Sequence, residues 1–396
     1  MRIALCSLVA LLAGAPETQA QVPFHGGRGP TFVRSAWNLE PGYLTLYTHT
    51  RFYGKVVNVP PPASNPKGDT TAVAYWNVQG GAALNYGISR HFELSVVPMI
   101  YQDTNRRGKA FNIPDDIFLR LKIASLGQRG AAMTYGIELG TRLPTAKMHN
   151  LPFEPYSAGK VSFGATALVS FARDPLYPED GFSAHFNLGY WNHNDVGQIL
   201  SSDAPQIAVT KMTQEFLYGA AMILPSEKFN FRFELLGSAF ISAPPTTAFS
   251  RSAVMYLTPG VSYKPYRWMA LDASSDLRLS GSATPARNEA RLYTLPRYSA
   301  WRVSLGMKIT LLPTSLYSMS ERDLLMRKAE SRRELFEQII KEQRETESAE
   351  AELERIKEER RKAERELERL RRILEGEARR QQQEGQNGDD GSLPPR

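Results

Sequence analysis

The sequence predicts an all-β transmembrane barrel of about twelve antiparallel strands, followed by a long C-terminal α-helix. Three observations carry that prediction. Segments of alternating hydrophobicity recur from Tyr43 to Leu312, the mark of strands with one apolar face. The polar links between these segments alternate short and long, as they do in barrels that cross a membrane. Beyond Pro313 the composition changes abruptly, and from Ser320 to about Gln383 Glu, Lys and Arg dominate with no Gly or Pro except Gly376, which suits a long solvated helix. With 42% hydrophobic residues and a mean hydropathy of −0.36, the chain does not read as a bundle of membrane helices.

Residues 3–15 are apolar, preceded by Arg2 and followed by Pro16 and then Thr18, Gln19 and Ala20. This is a secretory signal peptide over 1–20, too short to span a bilayer. Cys6, the sole cysteine, lies inside it, so the mature chain is expected to have no disulfide, thiol catalysis or thiolate metal site. A net charge of +7 without a compact basic motif, on an exported chain, argues against nucleic acid as a partner. The one dense basic cluster of the middle region, Arg106, Arg107 and Lys109, is expected in a solvated loop. Residues 21–42 include the run FHGGRGP and show no period. They fit either a periplasmic lead-in or a segment inside the lumen.

The barrel is expected over 43–312, with strands at 43–53, 74–88, 92–101, 116–125, 132–143, 160–172, 181–191, 212–224, 229–241, 254–264, 268–279 and 300–312. Short links fall at 89–91, 126–130, 173–180, 225–228 and 265–267, and long ones at 54–73, 102–115, 144–159, 192–211, 242–253 and 280–299. Short turns face the periplasm and long loops the exterior, so both barrel ends point to the periplasm. A soluble sandwich would not force the long loops to one end. The partner of the outward face is then outer-membrane lipid.

The sharpest alternation is in 301–311, with Trp301, Val303, Leu305, Met307, Ile309 and Leu311 on one face and Arg302, Ser304, Gly306, Lys308 and Thr310 on the other. Ser304, Gly306, Ile309 and Leu311 resemble the C-terminal insertion signal of bacterial outer-membrane barrels, which implies the barrel-assembly machinery as a partner. Leu311 and Leu312 stand where many such proteins end in an aromatic residue, and here the signal is internal.

Parity separates two faces. Trp76, Val78, Leu84, Leu119, Leu121, Phe229, Phe231 and Phe233 belong to the outward one. The inward one carries Glu93, Arg120, Lys122, Glu138, Arg142, His185, Asn187, Arg232, Glu234, Asp272, Asp276, Arg278, Arg302 and Lys308. Charges in a closed barrel must be hydrated or paired, so the interior is a narrow aqueous channel or a salt-bridged plug. As a lining, the same residues would select the solute. Twelve strands enclose more than a side-chain-filled eight-stranded barrel and less than a porin.

The chain is not expected to be an enzyme. No GxSxG, HExxH or paired-carboxylate motif occurs. Ser183 and His185 share a face, but at i and i+2 they are expected to lie too far apart for proton transfer. No metal or cofactor is expected.

Gly140 to Thr145 (GTRLPT), Leu151-Pro152, Asn187 to Tyr190 (NLGY) and Tyr86-Gly87-Ile88 leading into Phe92-Glu93-Leu94 resemble the outer-membrane barrels of the phenol-degradation meta-pathway group, related in style to hydrophobic-compound transporters. The resemblance implies a barrel, an outer-membrane location and passage of small solutes, apolar ones included. It supplies no catalytic residue, and that group does not usually end in a long charged helix.

After a linker at 313–319, a helix or coiled coil is expected over 320–383, with a disordered tail at 384–396. About sixty residues of helix span about 90 Å. Leu353, Ile356, Leu367, Leu370 and Leu374 keep the a and d positions of a heptad, while Arg332, Glu342, Thr346 and Arg360 break it. Both a homo-oligomeric coiled coil and a single helix laced with ion pairs remain open. The chain therefore reads as an outer-membrane channel or transporter for small solutes with a charged lumen and a periplasmic helix. The alternative is a plugged barrel that anchors the helix against a periplasmic protein or the cell wall.

Overall fold

The computed structural model describes residues 24–25, 27–59, 71–104, 111–128, 130–151, 153–200, 207–245, 248–251, 253–280 and 298–387. The expected signal peptide, the cluster of Arg106, Arg107 and Lys109, and the tail from 388 lie outside the described residues.

Thirteen strands follow in order: β1 Leu44–Val59, β2 Thr71–Gly87, β3 Phe92–Thr104, β4 Phe111–Asn112, β5 Ile117–Leu126, β6 Met133–Leu143, β7 Ser162–Ala172, β8 Ser183–Asn192, β9 Gln214–Pro225, β10 Phe229–Ser242, β11 Val254–Tyr266, β12 Met269–Arg278 and β13 Trp301–Leu312. Twelve form a closed antiparallel barrel, each strand paired with its neighbours in the chain, and β1 closes the ring against β13. The sequence predicts this architecture. Closure leaves no unpaired edge, the condition for a sheet to survive in lipid.

β4 is an extra pair of residues whose strand pairing is to β3, too short to show a period. β1 runs to Val59, beyond the alternation that ends near Tyr53, because its ladder to β2 continues from Tyr53↔Asn77 to Val59↔Thr71. Pairing extends the strand where patterning has stopped.

The two faces differ as period two demands. Phe229, Phe231 and Phe233 of β10 are exposed, while Arg232 and Glu234 between them are buried. The same inversion holds on β5, where Leu119 is exposed and Arg120 and Lys122 are buried. Polar residues fill the interior and large apolar ones cover the outside.

The chain divides into two compact units, 1–320 and 321–396. A 3₁₀ turn, Thr314–Tyr317, closes the first unit. There Arg267 Nη1 donates to the carbonyls of Met319 and Ser320 at 3.0 and 2.9 Å, and the Tyr317 ring packs on Trp268. The second unit is one helix, α1 Glu321–Asn387, which continues past the limit expected at 383 because nothing from 384 to 387 except Gly385 opposes a helix. Its apolar side chains Leu325, Phe336, Leu353, Ile356 and Leu367 are exposed. Ion pairs one turn apart, such as Arg333–Glu337 and Arg360–Glu364, both 2.9 Å, run with the base first, the less favourable order. The side chains of Leu370 and Leu374 are outside the described residues.

Candidate functional site: a segment in the lumen and a lid above it

Residues 24–25 and 27–39 lie inside the barrel. Pro30 and the glycines at 27 and 29 keep the segment out of helix and strand. Gly29 sits at φ +99°, where a Cβ would fall 2.7 Å from that of Ser35. A buried backbone without secondary structure must find partners elsewhere, and here the wall supplies them. The Glu234 carboxylate accepts three consecutive N–H groups, from Thr31, Phe32 and Val33, at 3.0, 2.8 and 2.8 Å. The Asn187 amide reads both sides of Arg34, its Oδ1 accepting the backbone N–H at 2.6 Å and its Nδ2 donating to the carbonyl at 2.8 Å. Further along, Ser170, Ser125 and Glu93 accept the N–H groups of Ala36, Asn38 and Leu39. Lys122 Nζ donates to the Trp37 carbonyl at 3.1 Å, and Lys308 Nζ to that of Gly27 at 2.7 Å.

The inward charges pair with this segment and with one another. Glu138 receives Arg34 Nη1 at 3.2 Å, His25 Nε2 at 3.3 Å and Arg120 Nε at 3.7 Å. Lys122 meets Glu93 at 2.9 Å, Arg142 meets Asp116 at 2.5 Å, and Arg232 meets Asp272 at 2.6 Å. Asp276 lies between two guanidiniums, Arg302 at 2.8 Å and Arg51 at 3.4 Å, and accepts the Thr258 hydroxyl. Arg278 donates to the Tyr298 carbonyl at 2.9 Å. Apolar contact completes the fit: Phe24, Phe32 and Val33 join Tyr47, Val97, Met99, Phe118 and Leu236 in one buried cluster, and Arg51 lies over the Phe32 ring.

His185 is buried in a bracket of hydroxyls, Nδ1 2.8 Å from Ser170 Oγ and Nε2 3.3 Å from Ser183 Oγ. The separation expected between Ser183 and His185 is therefore wrong, because side chains on one strand face can lean along it. The hydroxyl on Nδ1 also accepts the Ala36 N–H, which gives the ring a place in the packing of the segment.

Of the residues resembling an insertion signal, Ser304 is inward and 3.4 Å from Arg51 Nε, while Gly306 lies under the Tyr47 ring, where a Cβ would overlap the hydroxyl. Ile309 and Leu311 share the outward parity of Trp301 and Val303.

At the long-loop end, residues 144–151 and 153–161 fold inward as a lid. Asn112 and Met148 exchange two bonds, Asn150 Oδ1 accepts the Phe249 N–H at 2.8 Å and its Nδ2 donates to the Leu200 carbonyl. Phe153 packs on Tyr53. The Tyr156 hydroxyl donates to Asp195 at 2.5 Å, its ring meets His193 edge-on, and its carbonyl accepts from Arg142. Glu154 is buried, with Thr104 Oγ1 donating to it at 2.8 Å and Ser250 donating to its carbonyl. Burial pushes the Glu154 carboxyl up to about 8, and burial likewise raises neighbouring Asp115 to about 6.

The interior retains space at both ends of the segment. One space, of about 100 Å³, opens at the short-turn end between 27–31 and the wall of β8 to β13. Another, of about 40 Å³, lies between the segment and the lid, with Arg34, Arg120 and Arg142 on its walls. No group of three or more His, Cys, Asp or Glu side chains among the described residues converges as a metal site.

Parity alone marks Arg51, Ser170 and Thr166 as inward, yet sequence reading did not select them. Asp116, at the head of the expected strand 116–125, has the parity of Arg120 and Lys122 but was likewise not selected, while Arg34, His25 and Glu154 carry no periodic signal at all, since they lie outside strands.

No protein-family profile and no curated protein sequence matches the chain. The resemblance to the phenol meta-pathway group therefore rests on its short motifs alone. Among solved structures, the chain is similar to an outer-membrane channel from Pseudomonas putida F1 at 8% identity, covering 70% of this chain and 98% of that one, with a TM-score of 0.43. It is similar to the NanC porin at 8% identity, covering 67% and 100%, with a TM-score of 0.41. A Pseudomonas aeruginosa FadL homologue gives 11% identity, 75% and 98% coverage, and a TM-score of 0.30. The barrel is read from the chain's own strand pairing, not from these likenesses.

Proposed function

We propose that the protein is an outer-membrane channel or transporter for small solutes, closed at rest by residues 24–39 below and by the lid 144–161 above. The observation that carries this reading is how the segment is held. Its backbone is bound by side chains of the wall, chiefly the Glu234 carboxylate, and takes no place in the sheet. Such a segment can leave without breaking a strand ladder, and the polar wall it uncovers tolerates water. A barrel built only for rigidity has no need of a charged interior.

The outward apolar face supports a lipid surround in the outer membrane, and on this reading the short turns and both barrel ends face the periplasm, with α1 a periplasmic helix. Its exposed apolar side chains and ion pairs suit either a homo-oligomeric coiled coil or a lone rod bound to a periplasmic protein or the cell wall. One observation favours the anchor reading: Glu93, Glu138, Asp116, Asp272 and Asp276 each face a cation inside the barrel.

Planar-bilayer recording of the full-length mature protein separates the two. The channel reading expects discrete conductance steps that become longer or more frequent with Glu234→Ala. Silence of both proteins, each folded by heat-modifiable migration, would overturn it in favour of the anchor.

A further inference from the structure

Residues 27–39 form neither helix nor strand, and their main chain is bound as a peptide ligand is bound. Side chains of β3, β5, β7, β8 and β10 accept seven of the nine N–H groups between Thr31 and Leu39. Carbonyls are met as well: the Ser125 N–H reaches that of Ala36 at 2.7 Å, and Asn187, Lys122 and Lys308 reach those of Arg34, Trp37 and Gly27. Every peptide carries these groups, so a wall that reads them can hold an extended chain of another sequence. Side chains then select. Arg34 enters a buried pocket, its Nη1 3.2 Å from Glu138 and 2.7 Å from Thr166 Oγ1. Two residues earlier, the Phe32 ring lies under the Arg51 guanidinium at 4.5 Å and meets His49 edge-on. Residues 27–39 carry Arg28 and Arg34 and no acidic side chain, so a basic chain fits where an acidic one would meet Glu138.

We propose that the lumen is a peptide site, which residues 27–39 fill as a tethered stand-in for a short extended peptide with an aromatic residue two positions before an arginine. This deepens the channel reading and rests on it for its role, since it names the solute class. The binding itself rests only on the contacts above. A short tether supplies an effective concentration in the millimolar range, so a free peptide competes on equal terms only once the tether is cut.

The test uses the full-length protein with a protease recognition sequence inserted between Pro41 and Gly42, both exposed, and cut after folding in detergent. The fragment, labelled with a fluorophore at its amino terminus, is expected to stay with the barrel and to exchange with a synthetic peptide of residues 24–39. A peptide carrying Arg34→Glu should compete at least about tenfold less well, and so should one N-methylated at Val33, which lacks an N–H that Glu234 accepts. An unrelated peptide that keeps only an aromatic residue two positions before an arginine should compete within about tenfold of the native one. If the connector resists protease, the same peptides are added to uncut Ser35→Cys protein, where displacement registers as faster maleimide labelling. Competition by the native peptide alone would reduce the site to a socket for its own segment and overturn the proposal. So would a segment that no peptide displaces at about 1 mM, the limit of a site of useful affinity. Exchange on a barrel that conducts no ions would keep the site and remove the channel, and conductance without exchange would do the reverse.

Discussion

The barrel interior is occupied at two levels, and the two use different contacts. The segment 24–39 is held by side chains of the wall that reach its backbone, three N–H groups on the Glu234 carboxyl being the strongest example. The lid 144–161 is held by aromatic contacts and by a carboxyl, Glu154, that burial keeps protonated in neutral solution. Side-chain bonds to the backbone thus hold the segment, while the lid adds aromatic packing and a neutral carboxyl to its guanidinium contact, Arg142 on the Tyr156 carbonyl. Conditions and substitutions should therefore move them separately.

The largest effect is expected from Glu234→Ala. It strands three buried N–H groups at about 1–3 kcal/mol each and leaves Arg232 with less compensation, so the segment should detach while the lid persists. Heat-modifiable migration should show a folded barrel of lowered stability. Glu93→Ala, which strands one N–H and the Lys122 ammonium, should do less. Equal losses from the two would mean that Glu234 is not the main clamp.

Next in size is the response of the lid to pH. The Glu154 carboxyl binds its proton more tightly folded than unfolded, so its contribution is complete below about 4.5, falls as pH rises, and is gone above about 8. Asp115 adds the same sign over a lower interval, up to about 6. Protease cleavage within 144–161 should therefore accelerate from pH 6 to pH 9, and Glu154→Gln should flatten that rise. A lid that loosens on acidification would contradict the assignment.

Tyr156→Phe removes one hydrogen bond to buried Asp195, which keeps the Thr213 N–H, so about 1–3 kcal/mol should be lost from the lid alone. The smallest effect belongs to Arg28→Ala. Its ion pair with Glu179 at 2.8 Å has a carboxylate side chain 48% exposed and screened by solvent, so no more than about 1 kcal/mol is expected. A larger loss would give the short-turn mouth a latch stronger than exposed pairs normally provide.

The wall was legible in the sequence and the closures were not. Arg120, Lys122, Glu138, Arg232 and Glu234 take their inward places because a strand's period fixes them within a few residues. Nothing of that kind links Thr31 to Glu234, some two hundred positions away. The segment has no period of its own, so sequence leaves it open whether it enters the lumen. The lid is hidden for the same reason: Glu154 and Tyr156 sit in a link whose length suggests a loop, while their partners Thr104, Asp195 and Ser250 come from three other links or strand ends. β4, with two residues, is below the length at which alternation has meaning.

The central claim, that 24–39 fills the lumen and is clamped by Glu234, is tested most directly by thiol accessibility. With Cys6 in the expected signal peptide, Ser35→Cys places a single thiol on the buried face of the segment. In the otherwise unaltered protein it should resist a membrane-impermeant maleimide from both sides, and adding Glu234→Ala should speed labelling at least about tenfold, the change that 1.4 kcal/mol of lost clamping would give. Rapid labelling before Glu234 is touched would contradict the account.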